Sequence, residues 1–102
     1  MPERFSVQWS KVAGTQYAKI RAELRELSPS YLARLVHAVN GSLSLLELWP
    51  HFYSPCQYKP ERKYRKIIID NFIILYRVQE NRRIVRIAYM FHGAMDIASR
   101  IA

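Results

Sequence analysis

The spacing of apolar and polar residues changes twice along the chain, and each spacing predicts a different kind of element. From Arg4 to Trp9 apolar and polar residues alternate, with Phe5 and Val7 on the same side as Trp9, which is typical of a half-buried strand. Between Ser10 and Pro50 apolar residues recur at the spacing of one helical face. Beyond the loop that follows, alternation returns in segments rich in Ile, Val, Tyr and Phe, which favours strands.

The helical stretch divides into two helices at Ser28-Pro29. Ser10 and Ser28 are suitable N-caps, and Pro29 suits a first helical position because the N–H it lacks is not needed there. The connection is short, so an antiparallel helical hairpin is predicted, ending at Pro50. The second helix is expected to pack on the sheet through an apolar stripe of Leu32, Leu35, Val36, Val39, Leu43 and Leu46.

Three strands are predicted after the loop at residues 50–62, namely Tyr64–Ile69, Phe72–Val78 and Ile84–Phe91. Asp70-Asn71 and residues 80–83 predict the two turns between them. The tail at 94–102 is expected to be a short helix or a frayed end. The whole order predicts an α+β fold: an N-terminal strand, a helical hairpin and a three-stranded antiparallel meander forming one small sheet.

Length and cysteine content narrow the class of protein. The 102 residues fit a single domain at 1–102 with one core. The one cysteine excludes an intrachain disulfide, and the N-terminus has no signal-like pattern, so a cytoplasmic location is expected. The longest uninterrupted apolar run, Phe72–Tyr76, is too short to cross a membrane, and no membrane partner is expected.

The charge is strongly basic and unevenly distributed. The net charge of +8 favours an acidic partner such as a nucleic acid or an acidic protein segment. Residues 59–86 hold nine basic and three acidic residues, whereas the rest of the chain is nearly balanced. Solvated strand edges kept soluble by Lys and Arg are the alternative interpretation of this segment.

Motifs of metabolic enzymes and of cofactor sites are absent from the sequence. None of the three glycines lies in a phosphate-binding or dinucleotide-binding pattern. His51 and Cys56 share a loop without companions at ligand spacing, and His92 with Asp96 would supply two ligands, fewer than a metal site needs. We therefore expect no cofactor and no bound metal.

Residues 65–78 and 84–93 resemble toxins of the RelE/ParE superfamily of type II toxin–antitoxin systems, and are more similar to the ParE branch. The similarity lies in a strand opening with Arg65, a strand ending in Tyr76-Arg77-Val78, and a last strand ending in His92. It implies a growth-inhibiting toxin that is neutralised by a cognate antitoxin encoded alongside it. ParE-like members inhibit DNA gyrase, whereas RelE-like members cleave mRNA on the ribosome without a metal.

Two departures from the RelE-like pattern favour the ParE-like interpretation. RelE-like toxins place a basic residue three positions before the tyrosine of the penultimate strand, and this chain has Ile73 there. They also often carry an arginine soon after the last strand, where this chain has none before Arg100. A non-catalytic inhibitor of a macromolecular target is therefore preferred. A RelE-like ribosome-dependent endoribonuclease and a small basic nucleic-acid-binding or protein-binding module are the alternatives.

A ribonuclease would need cations at the phosphate together with a general base and acid. The candidates are Arg65 and Lys66 for the phosphate, Tyr76 as a donor, and His92 or Glu61 as base or acid. Three of these candidates have a structural alternative. Tyr76 is equally interpreted as a core tyrosine whose hydroxyl is hydrogen-bonded at the rim of the core. His92 is equally interpreted as a strand-end histidine that is hydrogen-bonded locally, and Glu61 as a solvated charge in a loop. Because side chains alternate along a strand, only one of Arg65 and Lys66 can share a site with His92. Binding of a target is expected to involve Lys63, Arg65, Arg77, Arg86 and His92.

Overall fold

The computed structural model describes residues 4–93 and residue 101 of the chain. The element order of strand, two helices and three further strands is the predicted one. The tail at 94–102, including Asp96 and Arg100, lies outside the described residues except for Ile101. The elements are β1 (Ser6–Trp9), α1 (Lys11–Leu27), α2 (Pro29–Leu48), β2 (Arg65–Ile69), β3 (Phe72–Gln79) and β4 (Ile84–His92), with short 3₁₀ turns at Pro60–Arg62 and Glu80–Arg82.

Serine caps set the boundaries of the helices. The Ser10 hydroxyl accepts a hydrogen bond from the Ala13 N–H at 3.0 Å, and the Ser28 hydroxyl accepts one from the Tyr31 N–H at 3.4 Å. Each bond satisfies an N–H that has no partner inside its own helix. Pro29 occupies the first turn of α2, as predicted. No helix within the described residues could cross a membrane.

The four strands form one sheet in the order β1-β4-β3-β2. Strands β2, β3 and β4 make the predicted antiparallel meander, and Asp70 adopts a left-handed conformation, with φ 52°, in the turn between β2 and β3. Strand β1 pairs with β4 in parallel, with Val7 opposite Val85. A parallel pair needs a crossover connection, and the helical hairpin begins it.

The helical hairpin covers one face of the sheet and forms the main core there. Leu35, Val39 and Leu46 of the predicted stripe are buried, whereas Leu32, Val36 and Leu43 are half-buried at its margins. The buried sheet residues of this core are Ile67, Ile74, Tyr76, Val85, Ile87 and Met90. The predicted stripe is therefore confirmed at its centre.

The opposite face of the sheet, here called the outer face, carries a second and smaller apolar cluster. Its buried members are Cys56, Tyr64, Ile73, Leu75, Phe91 and Ile101. The loop before β2 folds along the sheet edge, where the Cys56 N–H donates to the Tyr64 carbonyl at 2.7 Å and the Lys66 N–H donates to the Ser54 carbonyl at 3.0 Å. These two bonds satisfy backbone groups at the start of the edge strand β2.

A β-bulge in β4 decides which face each later residue occupies. Leu75 pairs with Tyr89 whereas Tyr76 pairs with Ile87, so Ala88 is an extra residue in β4. Ala88 and Tyr89 both pack against the outer-face cluster. The alternation is thereby shifted by one, and His92 lies opposite Phe72, a residue that packs with the core beneath the helices.

Candidate functional site

Two arginines stand side by side on the outer face. Arg77 of β3 pairs directly with Arg86 of β4; Arg77 is exposed and Arg86 half-buried. Neither guanidinium forms a salt bridge within residues 4–93, where the ion pairs are Arg4–Glu47 and His51–Glu80. Like charges directly opposite each other across strands are destabilising. An anionic ligand would remove that repulsion.

Two tyrosines complete a shallow pocket around these arginines, here called the arginine pocket. The Arg77 guanidinium carbon lies 5.4 Å from the centre of the Tyr64 ring, and the Tyr64 and Tyr89 rings meet edge to face at 6.0 Å. The pocket has a volume of about 180 Å³ and is also lined by Ser10, Val12 and Ala88. Among the described residues that line it, the two arginines carry the charge and none is acidic.

A larger cleft of about 460 Å³ lies at the β2 edge, here called the edge cleft. Its cations are Lys63 and Arg65, and it shares Tyr64 with the arginine pocket. Lys63 adopts a left-handed conformation with φ 57°, which is uncommon for a residue other than glycine. The remaining lining residues are His51, Pro55, Cys56, Pro60, Val78 and Glu80.

Arg65 has a structural role that the sequence did not indicate. Its Nη1 donates to the Tyr53 carbonyl at 2.7 Å and to the His51 carbonyl at 3.3 Å. These bonds hold the loop against the start of β2, and they fix the guanidinium at the wall of the edge cleft. Part of its donor capacity is therefore used inside the protein.

A contact between His51 and Glu80 was also missed by the sequence analysis. His51 Nε2 lies in hydrogen-bond contact with Glu80 Oε1 beside the edge cleft, although both side chains are exposed. The two residues are separated by the whole β2–β3 hairpin, and only the path of the loop brings them together. No local signal in the sequence identifies such a pair.

Tyr76 is a core residue. It is fully buried among the residues beneath the helices, and its hydroxyl donates to the Pro50 carbonyl at 3.0 Å. Burial raises the pKa of Tyr76 to about 12. A role as proton donor to a substrate does not fit this position, whereas the alternative interpretation as a core tyrosine does.

His92 lies far from the other candidate catalytic residues. It pairs with Phe72, while Arg65 pairs with Tyr76, four residues away along β3. That separation is roughly 13 Å at about 3.3 Å per residue. His92 lines an apolar pocket of about 360 Å³ beside Leu24 and Tyr31, on the helical side of the sheet.

The structure thus disperses the candidate catalytic set. Lys66 pairs with Leu75 and shares the outer face, Arg65 lines the edge cleft, Tyr76 lies in the core, and His92 lies at the far end of the helical side. Glu61 is exposed in the 3₁₀ turn before β2.

Of the expected target-binding residues, Arg77 and Arg86 come together in one pocket and Lys63 and Arg65 in the adjoining cleft. Among the described residues no three potential metal ligands form a cluster.

Comparison with known proteins gives a consistent result. The model of a family described as "ParE toxin of type II toxin-antitoxin system, parDE" matches residues 7–97. A chain of the chromosomal ParDE toxin–antitoxin system from P. aeruginosa has a TM-score of 0.67 at 14% identity, covering 87% of this chain and 96% of that one. A chain of the RelBE2 toxin–antitoxin complex from Mycobacterium tuberculosis has a TM-score of 0.57 at 20% identity, covering 87% and 98% respectively.

At these identities the two solved structures establish a shared fold. The chain has no significant match among curated protein sequences. The family model, by contrast, spans β1 to β4 and both clusters of basic residues described above. The chain therefore belongs to the ParE toxin family of type II toxin–antitoxin systems.

Proposed function

We propose that this toxin acts by binding and inhibiting DNA gyrase, and that it does so without cutting RNA. The observation that carries the proposal is that the described residues lining the arginine pocket include no histidine and no carboxylate; the His51–Glu80 pair lies in the edge cleft instead. Cleavage of RNA needs a base and an acid within hydrogen-bond reach of the phosphate that the cations hold. Tyr76 is buried in the core, and His92 lies on the opposite side of the sheet from Arg77 and Arg86.

The groups that line the arginine pocket support binding over catalysis. Among the described lining residues, the titratable members other than the arginines are tyrosines, of which Tyr64 is 4% exposed. The Ser10 hydroxyl already donates to the Ala88 carbonyl at 3.0 Å while it caps α1. Ile73, at the position where the ribonuclease branch carries a cation, is buried in the outer-face cluster.

A cognate antitoxin is the second proposed partner. Large apolar side chains remain exposed on the helical hairpin and just after it, including Leu27 at 80%, Trp49 at 60% and Phe52 at 62%. Such exposure is typical of a surface that a partner covers. We propose that an acidic antitoxin segment lies on the hairpin and runs past the sheet, which matches the net charge of +8. The toxin would act in the cytoplasm.

Induction of the gene in a bacterial host separates the two toxin mechanisms. The wild type is expected to stop DNA synthesis while mRNA stays intact, and the double variant Arg77→Ala/Arg86→Ala is expected to restore growth. Lys19→Ala/Arg25→Ala removes the same two charges from the exposed side of α1 and should remain toxic. Codon-positioned cuts in mRNA that disappear in Arg65→Ala and His92→Ala would instead identify a ribonuclease.

A further inference from the structure

We infer that the arginine pocket and the edge cleft form one continuous track that binds the phosphates of a nucleic-acid strand. The inference rests on the proposed function and extends it: the toxin would contact the DNA that gyrase holds, in addition to the gyrase protein. Tyr64 lines both depressions, so they adjoin each other on the protein surface.

The cations along the track follow the geometry of the sheet. Arg86 pairs with Arg77, and the pairing of Arg65 with Tyr76 places Tyr64 beside Arg77, with Lys63 next along the chain. Neighbouring strands are about 4.8 Å apart, so the row from Arg86 to Lys63 extends roughly 10–15 Å. A row of that length is long enough to meet more than one phosphate of a single strand.

The cations of the track are held in place before a ligand binds. The Arg77 guanidinium lies over the Tyr64 ring on the outer face. Arg65 pairs with the core residue Tyr76, so it reaches the edge cleft from the helical side of the sheet, where the carbonyls of Tyr53 and His51 fix its guanidinium. Fixed side chains lose less conformational entropy when a ligand binds. The planar fork of arginine also matches phosphate oxygens in a bidentate manner.

Among the described residues that line the track, one is acidic. Glu80 lies in the edge cleft, where it contacts His51. Its carboxylate opposes an incoming phosphate, so its removal should strengthen binding. A general loss of structure would weaken DNA binding in every variant, whereas a local electrostatic effect predicts tighter binding when Glu80 is neutralised.

A nucleic acid fits the track better than an acidic peptide does. A peptide needs several apolar anchors beside its charges, whereas Val12 is the one large exposed apolar side chain among the described residues that line the track, and the most exposed, Leu27, belongs to the end of α1. The track offers cations on successive strands, with the half-buried Tyr89 beside them as a surface against which a base can stack. This combination is typical of sites that follow a nucleic-acid backbone with little sequence preference.

Fluorescence anisotropy with a labelled 12-nucleotide DNA, single-stranded and as a duplex, tests the track. Arg77→Ala and Lys63→Gln are each expected to weaken binding about tenfold or more. They should also reduce the slope of log affinity against log salt by roughly 0.7–0.9 for each phosphate that the variant no longer neutralises. Glu80→Gln should tighten binding. Arg65 is not used for this test because its side chain holds the loop.

Matched controls come from exposed residues of α1. Arg25→Ala and Lys19→Ala remove the same charges away from the track and should change affinity less than twofold. Equal losses in these controls would show that binding follows net charge, and would overturn the track. Absence of DNA binding at low salt would overturn it as well. An acidic peptide of equal charge that binds more tightly through the same residues would reassign the surface to a protein partner.

The outcomes separate this inference from the proposed function. Inhibition of gyrase by a toxin that does not bind DNA would refute the track and leave the gyrase proposal standing. DNA binding that depends on Arg77 and Lys63, without inhibition of gyrase, would support the track and refute the proposal on the target.

Discussion

Replacement of Tyr76 by phenylalanine separates a structural role of this residue from a catalytic one. The hydroxyl donates to the Pro50 carbonyl at 3.0 Å, and both residues are buried, so Tyr76→Phe leaves the carbonyl without this donor. A buried polar group left unsatisfied costs about 1–3 kcal/mol. In a domain of this size each kcal/mol lowers the Tm by roughly 4–8 °C. The ring still fills its place in the core, so toxicity should be retained.

Tyr17 provides the matched control for this experiment. Its hydroxyl is also buried but has no hydrogen-bond partner among the described residues, while its ring stacks on Trp9 at 5.0 Å. Tyr17→Phe keeps the stacking and removes a hydroxyl that forms no hydrogen bond of good geometry, although Arg21 lies beside the ring, so the Tm should fall less than in Tyr76→Phe. Thermal unfolding followed by circular dichroism measures both variants. An unchanged Tm with lost toxicity in Tyr76→Phe would place the hydroxyl in the functional site and refute this reasoning.

Further predictions concern the core, a helix cap and alkaline pH. Leu35→Ala should lower the free energy of unfolding by about 2–5 kcal/mol in urea titrations, because the side chain is 1% exposed; an unchanged midpoint would contradict its burial. Ser10→Ala should cost about 1–2 kcal/mol because it removes the cap of α1 and the bond to the Ala88 carbonyl, and a neutral effect would contradict both bonds. Burial raises the pKa of Tyr76 to about 12, above the 10.0 expected when unfolded. The unfolded chain therefore loses this proton first, and stability should fall from pH 10 to about 12, less steeply in Tyr76→Phe, whereas identical pH profiles would contradict the shift.

The elements of the fold were predictable because local chemistry specifies them. Ser10 and Ser28 cap helices through contacts only three residues away, and the alternation of strand residues follows directly from the pleat. The turn at Asp70 likewise needs only a residue that tolerates positive φ. These features depend on neighbours in sequence and therefore appear in the sequence pattern.

The arrangement of the site depends on contacts between distant residues and could not be predicted. The parallel pairing of β1 with β4 joins Val7 to Val85, which no local pattern specifies. The bulge at Ala88 turns His92 away from the outer face, although simple alternation from Arg86 would place it there. The bonds of Arg65 to the loop carbonyls likewise arise only when the loop folds along β2.

Titration of ATP-dependent supercoiling by purified DNA gyrase with this toxin tests the central claim most directly. A toxin that acts by binding should abolish supercoiling when its amount approaches that of gyrase. Arg77→Ala/Arg86→Ala should require a large excess, while the control Lys19→Ala/Arg25→Ala, which removes the same charge from α1, should match the wild type. Undiminished supercoiling at a tenfold molar excess of folded toxin would contradict the claim.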